Sequence, residues 1–116
     1  MTAQVKLPNL DLVEMGISAG IDWETVAASA TDQAMGAVGA KGDYLGGALI
    51  VPGTTSPGAV QIKDGSGSAI TIFTGGAVSI VGLAPILVPL GITSLSGAWK
   101  ITTGTNVTAI GIGKFT

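Results

Sequence analysis

The sequence has no cysteine and no histidine, and all five of its basic residues are lysine. Without cysteine, the chain can form neither a disulfide framework nor a thiolate metal site. Without histidine, it has no Ser-His-Asp triad and lacks the usual proton-transfer group and zinc ligand near neutral pH. These absences exclude most acid–base, thiol and zinc chemistry. We therefore expect a protein that is not an enzyme and that carries no metal and no cofactor.

Charged and aromatic residues are also scarce. Charged residues make up 10% of the 116 residues and aromatic residues 4%, and the net charge is −2. A typical soluble domain has about 25% charged residues. Nucleic-acid binding requires a basic patch, which is missing here. Because a monomer needs polar surface to stay soluble, so little charge favours a surface that other subunits cover. The alternative is a soluble domain coated with serine, threonine and glycine.

Paired carboxylates are the remaining candidates for catalysis. Asp11 lies near Glu14 in the sequence, and Asp22 lies near Glu24. Two carboxylates could serve glycoside hydrolysis, but that reaction also needs a cleft lined with aromatic or hydrogen-bonding side chains. Such side chains are few, so we interpret these four residues as solvated acidic residues near an N-terminal arm.

One long uncharged stretch resembles a membrane segment. Residues 65–99 contain no charge, and residues 76–92 are largely apolar. A spanning helix needs about 20 apolar residues. Pro85 and Pro89 interrupt this one, and each proline costs a helix about 3 kcal/mol. We therefore predict two strands joined by turns, and no membrane contact.

Short alternating or apolar runs separated by glycine-rich turns recur along the chain. They predict a hairpin over residues 59–73, whose loop contains Asp64-Gly-Ser-Gly-Ser. The predicted strands are 22–28, 45–51, 59–63, 69–73, 77–81, 86–90, 98–102 and 107–112. Turns at intervals of about 8–12 residues are typical of an antiparallel β-sandwich or barrel. We predict an all-β, single-domain β-sandwich over residues 21–116.

Residues 1–20 are predicted to form an extended N-terminal arm. Pro8 and Asn9 break any early helix, yet the segment is too apolar for a free tail, so we expect it to lie against its own domain or a neighbour. Trp99 is predicted to fill the core. Trp23 suits a core position or an interface equally well, since tryptophan is enriched in interface hot spots.

Four segments carry a resemblance to a known class of proteins. They are ETVAASATDQAMGAVGAKGDYLGGALIVP, GAVQIKDGSGSAITIF, VPLGITSLSGAWKITTG and NVTAIGIGKFT. They resemble small virion proteins of tailed bacteriophages, some relatives of which are capsid decoration, or cement, proteins. The resemblance covers about four fifths of the chain. It implies a jelly-roll-like sandwich on the outer capsid surface that bridges neighbouring capsomers.

Three functions follow as hypotheses. The first is a capsid decoration protein whose partners are the major capsid protein and its own copies, as a homodimer or homotrimer. The second is a head-fibre, tail or adhesin module that binds a host surface. The third, a small hydrolase acting through its carboxylates, has the least support. For the capsid or subunit interface we predict the apolar residues of the arm and the tryptophan that follows it: Val5, Leu7, Leu10, Leu12, Val13, Met15 and Trp23.

Overall fold

The computed structural model describes residues 20–116, which form eight strands and no helix. The strands are β1 (Asp22–Val26), β2 (Gln33–Ala34), β3 (Tyr44–Pro52), β4 (Val60–Asp64), β5 (Ile70–Phe73), β6 (Ile86–Thr93), β7 (Trp99–Thr103) and β8 (Val107–Lys114). This confirms the prediction of an all-β protein. No helix in this part of the chain is long and apolar enough to cross a membrane.

The strands form two four-stranded antiparallel sheets. Sheet A has the order β1-β8-β3-β6, and sheet B has the order β2-β7-β4-β5. Each strand of the first half pairs with its counterpart in the second half: β1 with β8, β2 with β7, β3 with β6 and β4 with β5. Further pairs, β3 with β8 and β4 with β7, join these hairpin-like units into sheets. Within residues 20–116, the first four strands therefore pair with the last four in antiparallel fashion.

The core lies between the two sheets and is mainly aliphatic. Trp99 is 3% exposed, and its indole N–H donates to the backbone oxygen of Asp43 at 3.0 Å. This confirms that Trp99 fills the core. The other buried apolar side chains are Val26, Met35, Leu45, Ala48, Ile50, Val60, Ile62, Ile101, Val107 and Ala109.

Most predicted strands are present, and the hairpin of β4 and β5 is confirmed. The prediction of a strand over residues 77–81 is wrong. That segment consists of turns and bends within the crossover from sheet B to sheet A. Gly75 and Gly76 have positive φ, and so does Val78, at 55°. Positive φ lies outside the extended region, so the apolar run of 77–81 cannot continue as a strand.

The predicted arm lies outside the described residues, apart from Gly20. The same is true of the predicted interface residues Val5, Leu7, Leu10, Leu12, Val13 and Met15, and of the carboxylate pair Asp11 and Glu14.

Candidate interaction surface

The middle of the outer surface of sheet A consists of two aligned rows of residues, bordered by a polar row of Tyr44, Lys114 and Thr93. Strand alternation turns every second side chain away from the core, and the pairing register places the outward residues side by side. One row runs Trp23, Ile112, Gly47 and Pro89, and the next runs Thr25, Ile110, Leu49 and Leu87. Together with Val51, the next outward residue of β3, these rows form a surface that we call the apolar face. It contains Trp23, Thr25, Gly47, Leu49, Val51, Leu87, Pro89, Ile110 and Ile112, and none of these residues is charged.

The two central strands of sheet A place larger apolar side chains outward than inward at several positions. In β8, Ile110 and Ile112 face outward and are partly exposed, whereas Ala109 and Gly111 face the core. A Cβ on Gly111 would lie 2.7 Å from Met35 Sδ, so Met35 fills the space beside it. Small residues on the core side and isoleucine on the other are not what a solvated outer surface requires. The outward side of β8 is therefore more apolar in side-chain size than the side that faces the core.

Two large side chains on the apolar face are mostly exposed. Trp23, on edge strand β1, is 70% exposed, and Leu87, on the opposite edge strand β6, is 60% exposed. Trp23 therefore does not occupy the core, and of its two predicted positions the interface position is the one compatible with this exposure. Tryptophan is enriched among the hot spots of protein interfaces.

Sheet B has a polar outer surface. Its outward residues are Gln61, Lys63, Thr71, Lys100 and Thr102. Lys63 Nζ lies 3.0 Å from Asp32 Oδ2. The hydrogen bond from Lys63 lowers the pKa of the Asp32 carboxyl below its usual value, with a further contribution from Thr102. Sheet B thus follows the usual pattern, apolar toward the core and polar toward water, and sheet A does not.

The crossover over residues 74–85 adds exposed apolar side chains next to β6. Val78 and Val81 are well exposed, and Leu83 is partly so. Val78 and Leu83 both have positive φ. Bulky residues rarely adopt this conformation, which is strained. The crossover is tied to the 53–58 loop, because Gly76 N–H donates to the Pro57 oxygen at 2.8 Å. The crossover therefore places exposed valine and leucine side chains in a strained loop that is anchored to its neighbour.

At the other end of the sandwich, Asp64 holds the 94–98 loop in place. Its two carboxylate oxygens accept hydrogen bonds from the N–H groups of Leu95 at 2.8 Å and Ser96 at 3.0 Å. Burial raises the pKa of Asp64, but the backbone N–H groups of Leu95, Ser96 and Gly97 outweigh that effect and leave the pKa lowered. The Asp64-Gly-Ser-Gly-Ser segment is therefore a hairpin turn whose aspartate anchors a second loop.

The carboxylates of β1 bind donors of the protein itself. Glu24 Oε1 accepts from the Gly36 N–H at 2.8 Å, and Glu24 Oε2 accepts from Gln33 Nε2 at 3.1 Å. Asp22 Oδ2 accepts from the Phe115 N–H at 3.3 Å. The prediction of solvated acidic residues is therefore wrong for Glu24, which braces β1 against the segment that contains β2. Both carboxylates of this pair therefore accept hydrogen bonds from other segments of the protein.

A shallow polar cleft of about 390 Å³ adjoins these carboxylates at the edge of sheet A. It is lined by Ile21, Asp22, Trp23, Glu24, Gly36, Ala37 and Phe115. Among residues 20–116, no group of three or more potential metal ligands comes together.

Sequence reasoning missed most of the apolar face, because both sides of β3 and β8 are apolar and the pattern does not tell which side turns inward. Of the predicted interface residues, Trp23 lies on this face, and the other six lie outside the described residues. Comparison with known proteins finds no matching family model, no matching curated protein and no matching solved structure.

Proposed function

We propose that this protein is a structural virion protein that decorates and stabilises a bacteriophage capsid by binding across neighbouring capsomers. The contrast between the two outer surfaces carries this proposal. The apolar face of sheet A would lie against the capsid shell, and the polar surface of sheet B would face the solvent. The protein would then be located on the outer capsid surface, with the major capsid protein as its partner. It performs no reaction and needs no cofactor.

The strand order supports a jelly roll, the finer architecture that the resemblance implies. A chain that pairs its first strand with its eighth, its second with its seventh, and so on, is wound like a jelly roll. Jelly rolls recur in viral capsid domains and in lectins. This fold is compatible with a virion protein, and the argument for the function itself rests on the apolar face.

The size of the apolar face predicts weak binding by a single copy and strong binding by many copies together. Burial of apolar area contributes roughly 25 cal/mol per Å². Association itself costs at least about 4 kcal/mol, so a small face gives modest affinity. Copies that also contact one another, as homodimers or homotrimers, gain from multivalency on a symmetric shell. The apolar residues predicted for the arm would extend the same contact surface.

The cleft next to Trp23 favours a second candidate function, a head-fibre, tail or adhesin module. Binding sites for small ligands combine an aromatic side chain with a few well-placed polar groups. Trp23 and Asp22 provide such a pair at the cleft. On this alternative, the partner is a host surface molecule, and substitution of Asp22 would abolish binding while substitution of Leu87 would not.

Binding to capsids tests the proposal directly. Capsids of the source virus that lack this protein are mixed with the purified chain and sedimented. The variant Leu87→Lys places a charge on the apolar face and is expected to bind at least tenfold more weakly. Thr71→Lys is the matched control, because Thr71 is also an exposed strand residue but lies on the outer surface of sheet B. Equal binding by both variants, or no binding by the unmodified chain, would refute the proposal.

A further inference from the structure

The two lateral sides of the sandwich are closed to different degrees. On one side, edge strand β1 of sheet A lies beside edge strand β2 of sheet B. Hydrogen bonds from Gln33 and Gly36 to the carboxylate of Glu24 join the two segments there. Val26, in β1, and Met35, directly after β2, are both fully buried behind this contact. The core is therefore sealed on the β1–β2 side.

On the other side, edge strands β6 and β5 leave the core partly open. Paired residues of antiparallel strands project from the same face of their sheet. Four residues lie opposite buried core residues and therefore project inward: Ile70, Ile86, Val88 and Ile92. Ile72 and Leu90 also pack against the core. We call these six residues the open side. Ile70 is 52% exposed, Ile92 is 38% exposed, and the other four are only partly buried.

The open side carries no charge. Its six residues are aliphatic, and the segment that supplies them, residues 65–99, contains no charged residue. A two-fold axis places the same patch of each copy against that of the other, so a patch with a net charge would repel its own copy. An uncharged aliphatic patch is instead complementary to itself. A second copy of this chain is therefore the partner whose chemistry fits this surface.

The size of the surface suits a weak dimer. Strand β6 has eight residues and β5 has four, so the open side is on average about 20 Å long. It is about 20 Å wide, counting the spacing of the sheets and the thickness of the edge strands, and covers roughly 400 Å². The exposed crossover residues Val78, Val81 and Leu83 lie next to β6 and enlarge it. Stable interfaces begin at about 600 Å² on each partner, so we expect a dimer that dissociates at low micromolar concentration.

Both edge strands have features that oppose continuous strand pairing. Pro89 lies in β6 and has no N–H to donate. The pairing of β5 with β4 is irregular between Val60 and Gln61, and β5 is short. A second copy is therefore expected to pack through the side chains of the open side rather than to extend the sheets. Because the same patch faces itself, the contact closes after two copies and does not grow into a fibre.

We infer that two copies of this chain form a dimer through the open side, with β5 and β6 of one copy packed against β5 and β6 of the other. The dimer buries Ile70 and Ile92, which a single chain leaves exposed. The apolar face of sheet A is not part of this contact. The inference rests on the proposed function in one respect: on a shell, this dimer would supply the contact between copies that multivalent binding requires.

Sedimentation equilibrium of the full chain, from low to high micromolar concentration, tests the inference without capsids. The test variants Ile70→Lys and Ile92→Lys each place a charge on the open side. Thr71→Lys is the matched control, because Thr71 follows Ile70 in β5 but lies on the outer surface of sheet B. Trp23→Ser is the control for the apolar face. Circular dichroism shows whether each variant is folded.

We expect the unmodified chain and both controls to dimerise equally well, and each test variant to dimerise at least tenfold more weakly. An unmodified chain that is monomeric at every concentration would overturn the inference. So would test variants that dimerise as well as Thr71→Lys. Loss of the dimer in Trp23→Ser alone would also overturn it, because the second copy would then lie on the apolar face.

Hydrogen exchange of the unmodified chain decides the question if the lysine variants do not fold. Amide groups of β5 and β6 should exchange at least threefold more slowly at high than at low concentration, and those of β1 should not change. Exchange that does not depend on concentration, or protection of β1 without β5, would overturn the inference. If the dimer forms but capsids do not bind the chain, the proposed function fails and the inference stands.

Discussion

The carboxylate of Asp43 holds Thr116 through two different groups: the backbone N–H donates at 3.2 Å, and the hydroxyl donates at 3.1 Å. Asp43 is 4% exposed, and its carboxylate also accepts from the Ala40 N–H at 3.0 Å. The backbone oxygen of Thr116 in turn accepts from the N–H groups of Val38 and Gly39. These contacts fasten the segment after β8, a central strand of the sheet that carries the apolar face, to the loop before β3.

Loss of this contact is expected to destabilise the protein. Asp43→Ala removes the acceptor of the part-buried N–H groups of Ala40 and Thr116, which should cost about 1 kcal/mol for each hydrogen bond lost. Thr116→Val removes one hydrogen bond and should cost about 1 kcal/mol. Urea unfolding measures both changes. Thr55→Val, in an exposed loop, is the control and should leave the midpoint unchanged. A midpoint for Asp43→Ala that equals the control would contradict this account.

The two tryptophans are expected to respond in opposite ways. Trp99→Leu removes a buried ring and should lower stability by about 3 kcal/mol, as large-to-small changes in cores do. Trp23→Ser removes an exposed ring and should change stability by less than about 0.5 kcal/mol, while weakening capsid binding. Thermal unfolding and capsid sedimentation separate the two effects. Strong destabilisation by Trp23→Ser in a chain that remains monomeric would mean that Trp23 is a core residue after all.

The hydrogen bonds to Asp64 predict that stability falls in acid. The pKa of Asp64 in the folded protein lies below the ordinary value of 3.8. The stabilisation is therefore fully present above about pH 4 and is lost as the pH falls through the lowered pKa. Asp64→Asn should be less stable than the unmodified chain at neutral pH, and the difference should shrink toward about pH 2. Urea midpoints at several pH values measure this. A difference that does not depend on pH would contradict the role given to the Asp64 carboxylate.

Local sequence pattern predicted most of the fold. The alternation of Val60 to Asp64 and of Ile70 to Phe73, on either side of a glycine-serine turn, is enough to identify that hairpin. The crossover over residues 74–85 could not be predicted in the same way. Its valines favour strands, and only the tertiary structure shows that Val78 has a positive φ.

The candidate site was harder to predict than the fold. In β8, isoleucine alternates with alanine and glycine, so both sides of the strand are apolar and the pattern does not show which side faces the core. In the structure the isoleucines face outward, and Met35, from a segment with no clear pattern, fills the space beside Gly111. The buried position of Asp43 likewise has no local signal, since its partner Thr116 lies 73 residues away in sequence.

A cryo-EM reconstruction of particles from the source virus tests the central claim most directly. The account predicts regular copies on the outer capsid surface, oriented with Trp23, Leu87 and Ile110 toward the shell and with Lys63 and Lys100 toward the solvent. Copies with the polar surface of sheet B against the shell would contradict the role of the apolar face. Density only at a tail or fibre, or no density in the particle, would contradict the decoration role itself.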